Sequence, residues 1–459
     1  MKKILTFTLL LAMCLGANAQ EAAIALIREN PDRAANNMHS YEFFEIKDTP
    51  APKGFKPFYI THYGRHGSRY EDNHTFANAA MTGFAKLDSL HLLTAEGKKL
   101  YDEVSALVNE HIGMEGVLTP RGAKEHQMIA ARMADRYPEI FKNKERQEIS
   151  CFSSTKQRCI LSMTNFAYSL QKKFPKLAFT FTSGERYMSY INPSLHVRRP
   201  GSQGPSGMPG MPAGGFQRPA GGQGNGQRPA GGFEGFGGFG GSRTPQAPGI
   251  DLTRFLKPLF TDYEAAYAQL DNPESFVRAI YSAGGLCQVL DFMGLDIFRE
   301  YFTPEELAYF WKNFNNMSYM MWGGSKENGE TIRYAIRPLL KDFVEKADAA
   351  LADGSHRAAD LRFGHDTSVL PLAALLGIDD TQHRIMPFQQ ANEMGWYSFF
   401  QVPMATNCQM VFYKNKKGEV LTKVLYNEKE VDIPGVEAVS GPYYRWSDLR
   451  AHFMKLCAD

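Results

Sequence analysis

Short runs of β-branched and aromatic residues alternate with stretches of helical patterning, and this alternation limits the folds open to the chain. The clearest runs lie at residues 58–62, 148–152, 178–181, 360–363 and 409–413. Runs of this length and composition, bounded by turn residues, predict strands. Strands that alternate with helices predict a sheet covered by helices on both faces. The expected fold class is therefore α/β, a three-layer α/β/α sandwich.

Several helices have readable starts. Thr303 precedes Pro304 and is followed three residues later by Glu306, which predicts a capping box and a helix to about Asn315. Threonines at 119 and 94 predict two more helices, over residues 120–137 and 95–112. The stretch from 250 to 350 has helical patterning almost throughout, which predicts a helical insertion (cap) domain.

One internal stretch has the composition of a linker. Residues 201–249 are mostly Gly, Pro, Gln and Ser, and QRPAGG at 217–222 recurs at 227–232. Such a segment has little to bury, so we predict a disordered insertion with both flanks in one globular unit. The alternative interpretation is a tether whose phenylalanines and arginines contact glycans or partners. The expected division is 1–19 signal peptide, 20–200 and 351–459 α/β core, 201–249 insertion and 250–350 cap.

The first residues resemble a secretory signal. Lys2 and Lys3 precede an apolar run from residue 4 to 15, and Ala17-Asn18-Ala19 follows it. This layout predicts export, to the periplasm or the medium, with cleavage after Ala19. The apolar run is too short to span a bilayer, and no later stretch reaches the ~18 apolar residues that a membrane helix needs. No membrane span is expected.

Charge and cysteine content exclude several classes. Without Lys2 and Lys3 the basic and acidic residues are equal in number, 49 each, which gives no support to nucleic-acid binding. Five cysteines follow the signal, an odd number, so at least one thiol stays free or pairs between chains. No C-x-x-C pair exists, which excludes a zinc ribbon. The oligomeric state and the disulfide pattern are left open.

A cluster of charged residues follows the first predicted strand. His66 lies between Arg65 and Arg69, with glycines at 64 and 67. Glycines let the backbone approach an anion, and guanidinium groups match phosphate oxygens bidentately. The cluster therefore predicts an anion site; taken alone, a basic surface turn is the other interpretation.

Two later strand ends carry complementary residues. Arg158 follows the strand ending near residue 152, and His365-Asp366 follows the strand at 360–363, before a helix predicted over 369–377. Ligands of open α/β sheets bind at the carboxyl ends of the strands. Three arginines, two histidines and one carboxylate are therefore expected at one edge of the sheet.

These motifs resemble those of the histidine acid phosphatases, in the branch that contains phytases and multiple inositol polyphosphate phosphatases. The matching segments, in the family's order, are RHGSRY at 65–70, LTPRG at 118–122, SSTKQRCILS at 153–162, GHDTS at 364–368 and PMATNCQMVFY at 403–413. The resemblance spans nearly all of the chain after the signal except the Gly-rich insertion.

The resemblance implies roles for individual residues. His66 would be the nucleophile that takes the phosphoryl group, and Asp366 the acid that protonates the leaving oxygen. The phosphate-binding residues would be Arg65, Arg69, Arg158 and His365. Positive charge and positioning suit a loose phosphoryl-transfer transition state, so no metal or cofactor is expected. The expected partner is a small-molecule phosphomonoester, with phytate and other inositol polyphosphates among the candidates.

The chain also departs from the family pattern. Glu71 stands where the family usually has proline; we expect it to point to solvent, and the alternative is that it disfavours highly anionic substrates. Tyr70 resembles the inositol polyphosphate phosphatases, whereas His365-Asp366 resembles the phytases and acid phosphatases. The subfamily is therefore open.

Other functions fit the residues less well. His62 and His66 are four residues apart, a metal-binding spacing on a helix, but they follow a strand. Cys151 and Arg158 are spaced one residue too far apart for a cysteine phosphatase loop. The related phosphoglycerate mutases share the Arg-His-Gly nucleophile motif but are cytoplasmic and compact, so an exported chain with a helical insertion fits a hydrolase better. A non-enzymatic phosphate-ligand binding or adhesion protein on the same fold is the alternative function.

Overall fold

A computed structural model describes residues 21–193, 250–378 and 385–458. The predicted signal peptide and Gly/Pro-rich insertion lie outside the described residues. The strands are β1 Lys56–Arg65, β2 Glu148–Ser153, β3 Ala178–Ser183, β4 Arg357–Gly364, β5 Asn407–Lys414, β6 Val420–Tyr426, β7 Lys429–Glu430 and β8 Tyr443–Arg445.

All eight strands form one mixed sheet. Its order is β3-β2-β4-β1-β5-β6-β7, and β8 pairs with β6. The first four strands of this order are parallel, while β5 and the strands beyond it are antiparallel to their neighbours. In the register, Arg65 lies beside Gly364, and Ser153 beside Phe363. The carboxyl ends of β1, β2 and β4 therefore meet at one edge.

Helices occupy both faces of the sheet and a separate cluster. The α-helices are α1 Asn78–Ser89, α2 Ala95–His111, α3 Pro120–Arg136, α4 Pro138–Lys142, α5 Gln157–Lys173, α6 Met188–Ile191, α7 Thr253–Leu256, α8 Tyr263–Gln269, α9 Pro273–Gly284, α10 Ile297–Tyr301, α11 Pro304–Trp322, α12 Gly329–Leu351, α13 Asp366–Leu376, α14 Ser398–Gln401 and α15 Trp446–Ala458. Residues 21–29 are also helical. The 3-10 helices are Pro31–Ala34, Asn36–Met38, His74–Ala77, Glu185–Tyr187, Lys257–Leu259, Asp291–Met293, Phe388–Gln390 and Asn392–Met394.

The alternation of side chains along β1 builds the three layers. Tyr59 and Tyr63 face a core shared with α12, α13 and α15. Ile60 faces the opposite core, shared with α3, α4 and α5. Successive side chains of a strand point to opposite faces, so a strand buried on both sides is apolar at nearly every position. The predicted three-layer α/β/α fold is confirmed.

A third core lies apart from the sheet. It joins α1 and α2 to the helices between residues 253 and 311. Residues near 23–38 and 397–404 also join this core, so it draws on four separated segments of the chain. Helix α12, within the stretch assigned to the cap, packs instead on the sheet side with α13 and α15. The domain boundaries drawn from the sequence stay a prediction.

The predicted elements recur with small shifts. All five predicted strands are present, and Thr303 and Glu306 form the expected capping box. The helix that they start continues to Trp322, beyond the predicted end near Asn315. The helix after β4 starts at Asp366, three residues earlier than predicted. The strands β6, β7 and β8 were not predicted.

Two further observations bear on the chain's class. In the three described ranges no helix is long and apolar enough to cross a membrane. The five cysteines are all free thiols: Cys151, Cys159, Cys287, Cys408 and Cys457.

Candidate active site

The site begins where β1 ends. Strand residue Arg65 is fully buried, and the His66 backbone N–H donates to the Gly364 carbonyl oxygen at 2.9 Å, which ties this loop to the end of β4. The helices α5 and α13 begin directly after β2 and β4, so their N-termini face the same edge. A helix N-terminus presents free N–H groups and partial positive charge, which favours anions.

A close backbone approach holds the loop after His66. A Cβ on Gly67 would lie 2.4 Å from the Gly122 carbonyl oxygen, and a Cβ on Gly122 would lie 2.1 Å from the Ser68 carbonyl oxygen. Both positions therefore require glycine. The loop also rests on Glu125, whose buried carboxylate accepts from the Ser68 N–H at 2.8 Å and the Ser68 hydroxyl at 2.7 Å. Burial raises the pKa of Glu125.

The His66 ring has one nitrogen held and one available. Its Nδ1 lies 2.9 Å from the Gly67 carbonyl oxygen, which can only accept, so Nδ1 carries the proton. Burial, followed by the charges of Arg158 and Arg65, places the pKa of His66 well below its ordinary value. A neutral ring with hydrogen on Nδ1 has its lone pair on Nε2. The geometry therefore presents Nε2 of His66 as a nucleophile.

Three arginines next to His66 have unsatisfied donors. The Nε atoms of Arg65, Arg69 and Arg158 are buried and have no hydrogen-bond partner in the described part of the chain. Buried donors are nearly always paired in native proteins. Three open guanidinium donors around one histidine therefore indicate a site for an anionic ligand.

Asp366 and His365 complete the cluster. Asp366 Oδ2 lies 3.0 Å from Arg65 Nη2, and the His66 and His365 ring centroids are 5.6 Å apart. Burial raises the pKa of Asp366, but Arg65 and His365 lower it more, so it lies below its ordinary value. Burial and Arg158 lower the pKa of His365 to about 3. His365 Nε2 is 2.9 Å from Ser154 Oγ, a residue that follows β2.

Two more carboxylates reach the arginines. Asp72 places Oδ2 3.1 Å from Arg69 Nη2 and Oδ1 3.2 Å from Arg158 Nη1. Glu71 Oε1 lies 3.6 Å from Arg69 Nη1. The expectation that Glu71 points to solvent is therefore wrong, because a buried guanidinium attracts its carboxylate.

The structure brings together the six residues that the sequence singled out: Arg65, His66, Arg69, Arg158, His365 and Asp366. Sequence reasoning missed Asp72, Glu125 and Ser154, although each lies within or beside a quoted motif. His62, considered as a metal partner of His66, instead packs against the rings of Phe166 and Phe363.

Comparisons with known proteins bear on the family and the fold. Residues 64–187 match the family model of the histidine phosphatase superfamily, branch 2. A multiple inositol polyphosphate phosphatase of Bifidobacterium longum, solved with phosphate, aligns with a TM-score of 0.67 and 18% identity over 92% of this chain and 97% of that chain. The phytase from D. castellii aligns with a TM-score of 0.63 and 15% identity over 93% and 85%. No curated protein sequence matches the chain significantly.

Proposed function

We propose that the chain hydrolyses phosphomonoesters through a phosphohistidine intermediate, since residues 64–187 match the family model of the histidine phosphatase superfamily, branch 2. The observation that carries the proposal is His66, neutral and with Nε2 available, among three buried arginine Nε–H groups that have no acceptor in the described residues. A phosphate group supplies the missing acceptors and places phosphorus beside the nucleophile.

The first step transfers the phosphoryl group to the enzyme. Nε2 of His66 attacks phosphorus, the bond to the ester oxygen breaks, and that oxygen takes a proton from Asp366. Arg65, Arg69, Arg158 and His365 bind the phosphate oxygens. Fixed guanidinium groups stabilise the transferring group without reorganising during the reaction.

The second step releases phosphate. Asp366, now ionised, accepts a proton from water, and the oxygen of that water attacks phosphorus and breaks the bond to Nε2. One carboxyl group thus acts as acid and then as base. The ion pair with Arg65 favours the ionised carboxylate of Asp366. A bound phosphate pairs with the arginines in place of Asp366, and its negative charge raises the pKa of Asp366. Asp366 then carries the proton that the first step needs.

The proposed substrate class is phosphomonoesters, and no single substrate is assigned. The structural neighbours include an inositol polyphosphate phosphatase and a phytase, so inositol phosphates are candidates beside sugar and aryl phosphates. The N-terminal sequence supports export with cleavage after Ala19. Sequencing the N-terminus of protein recovered from the medium or periplasm tests that part.

Turnover of p-nitrophenyl phosphate tests the activity. We expect hydrolysis that vanadate and phosphate inhibit, and quenching the reaction with alkali, in which phosphohistidine is stable, should trap phosphate on His66. Activity should persist in a chelator, because arginines supply the positive charge that a metal would otherwise contribute. Tight phosphate binding without turnover would support the non-enzymatic alternative instead, and loss of activity in chelator with recovery on adding zinc or magnesium would refute the metal-free mechanism.

A further inference from the structure

The phosphate-binding arginines are matched by carboxylates before any ligand arrives. Asp366 pairs with Arg65, Asp72 bridges Arg69 and Arg158, and Glu71 lies beside Arg69. Three guanidinium groups thus face three carboxylates, while the pKa values of His66 and His365 are depressed and both rings are neutral. The formal charge of this cluster is therefore close to zero.

Only Asp366 has a role in the proposed reaction. Asp72 and Glu71 lie on the segment that leaves the site, and Asp72 is 41% exposed whereas Arg69 and Arg158 are 5% and 14% exposed. Burial lowers the pKa of Arg69, but Glu71 and Asp72 raise it more, so both carboxylates act on this arginine.

We propose that Asp72, assisted by Glu71, determines charge specificity, so that the site favours phosphomonoesters with few charges over polyanions such as inositol hexakisphosphate. This inference rests on the proposed function, because it takes Arg69 and Arg158 as phosphate ligands. A fixed negative charge repels a substrate in proportion to the charge that the substrate carries. The acidic pair therefore penalises a hexakisphosphate far more than a small monoester.

Holding the arginines in place is a weaker explanation for Asp72. Arg69 Nη1 also donates to the Tyr70 carbonyl oxygen at 2.8 Å, and Arg158 Nη1 to the Gly116 carbonyl oxygen at 3.4 Å. Both guanidinium groups therefore keep a backbone acceptor when the Asp72 charge is removed. Glycine at position 116 leaves room for the Asp72 carboxylate, because a Cβ there would lie 2.9 Å from Asp72 Oδ1.

The test compares Asp72→Asn with the wild type on two substrates, inositol hexakisphosphate and glycerol phosphate, at constant pH and ionic strength. We expect KM for the hexakisphosphate to fall about tenfold and KM for the monoester no more than about threefold, with kcat within about twofold. Glu71→Gln should act in the same direction but less, since Glu71 reaches only Arg69 and at a longer distance.

Two controls isolate the charge. Asp72→Glu keeps the carboxylate and should keep wild-type selectivity. Asp348→Asn removes an exposed carboxylate that pairs with Arg450, away from the site, and should change neither KM. An unchanged ratio of the two KM values in Asp72→Asn, or a fall in affinity for both substrates, would overturn the inference; the latter would make Asp72 a positioning residue.

Calorimetry with inorganic phosphate separates this inference from the proposed function, because binding needs no turnover. We expect Asp72→Asn to bind phosphate several-fold more tightly than the wild type. If the wild type hydrolyses nothing and the variant still binds phosphate more tightly, the proposed activity fails and the charge effect stands. If the wild type turns over and the variant binds phosphate less tightly, the activity stands and the charge effect fails.

Discussion

Two buried arginines on neighbouring strands have opposite surroundings. Arg362 on β4 donates from Nε to Asp342 at 2.6 Å, from Nη1 to Thr61 at 2.8 Å and from Nη2 to the Asp342 carbonyl oxygen at 3.3 Å. Arg65 on β1 is equally buried, but its Nε has no partner in the described ranges.

The difference distinguishes an arginine that the fold pairs completely from one that the proposed function assigns to phosphate binding. Arg362 is paired within the fold through every nitrogen, so it has nothing to offer a ligand. The unpaired donors of Arg65, Arg69 and Arg158 lie instead around His66 at the carboxyl edge of the sheet. Burial alone is thus a poor guide to function, and unsatisfied donors are a better one.

The largest expected effect tests the open cluster, by which we mean His66, Asp366 and the arginines with unpaired Nε atoms, Arg65, Arg69 and Arg158. His66→Ala removes the nucleophile, so turnover of every phosphomonoester should fall by several orders of magnitude. Initial rates on p-nitrophenyl phosphate measure it, and an unchanged thermal unfolding midpoint would show that the fold is intact. Residual turnover within tenfold of the wild type would mean that another group attacks phosphorus.

Replacing the fully paired Arg362 should lower stability, whereas replacing Arg158, which has an unpaired Nε in the described ranges, should weaken phosphate binding. Arg362→Met removes the buried partner of Asp342 and should lower the free energy of unfolding by about 3–5 kcal/mol. Arg158→Met removes charge-assisted hydrogen bonds worth about 1.5–3 kcal/mol and should weaken phosphate binding about tenfold to a hundredfold.

Chemical denaturation and phosphate calorimetry on both variants make this measurement. The folded fraction of Arg362→Met should bind phosphate as the wild type does, and Arg158→Met should lose little stability. If Arg362→Met and Arg158→Met lost stability and phosphate affinity to a similar extent, the distinction between the two kinds of arginine would be wrong.

Within the open cluster, Asp366→Asn should discriminate between leaving groups. An alkoxide needs the proton of Asp366, whereas p-nitrophenolate leaves as an anion, so kcat should fall about 10²–10⁴-fold on a sugar phosphate and much less on p-nitrophenyl phosphate. Parallel kcat measurements test this. Equal losses on the two substrates would assign Asp366 to phosphate binding or folding.

The smallest effect concerns the buried histidines near this edge of the sheet. Burial lowers the pKa values of His62 and His126 to about 3, while an unfolded histidine titrates near 6.5. Between these pH values the unfolded chain binds protons that the fold excludes, so stability falls as pH falls from about 6.5 towards 3.

His126→Phe should reduce this slope by up to about 1.4 kcal/mol per pH unit, because it removes one titrating group. Urea denaturation at pH 7 and pH 5 measures the slope. An unchanged slope in His126→Phe would mean that His126 is protonated in the fold.

The amino-acid sequence predicted five of the eight strands in the described ranges, and it predicted which charged residues follow the ends of β1, β2 and β4, because these features follow from local order. Strand-forming runs predict where β1, β2 and β4 end, and the carboxyl ends of parallel strands share an edge. Arg65, His66, Arg158 and Asp366 could therefore be assigned to one site before any coordinates.

Only the tertiary structure decided which charges are already paired. Arg158 and Asp72 are 86 residues apart in the chain and 3.2 Å apart in the fold, and Glu125 reaches Ser68 across 57 residues. Such pairings depend on how helices and loops pack around the edge, and no local pattern encodes the direction of a side chain across that distance. The candidate site residues could therefore be named from the sequence, whereas the near-neutral balance of charge around them was set by packing.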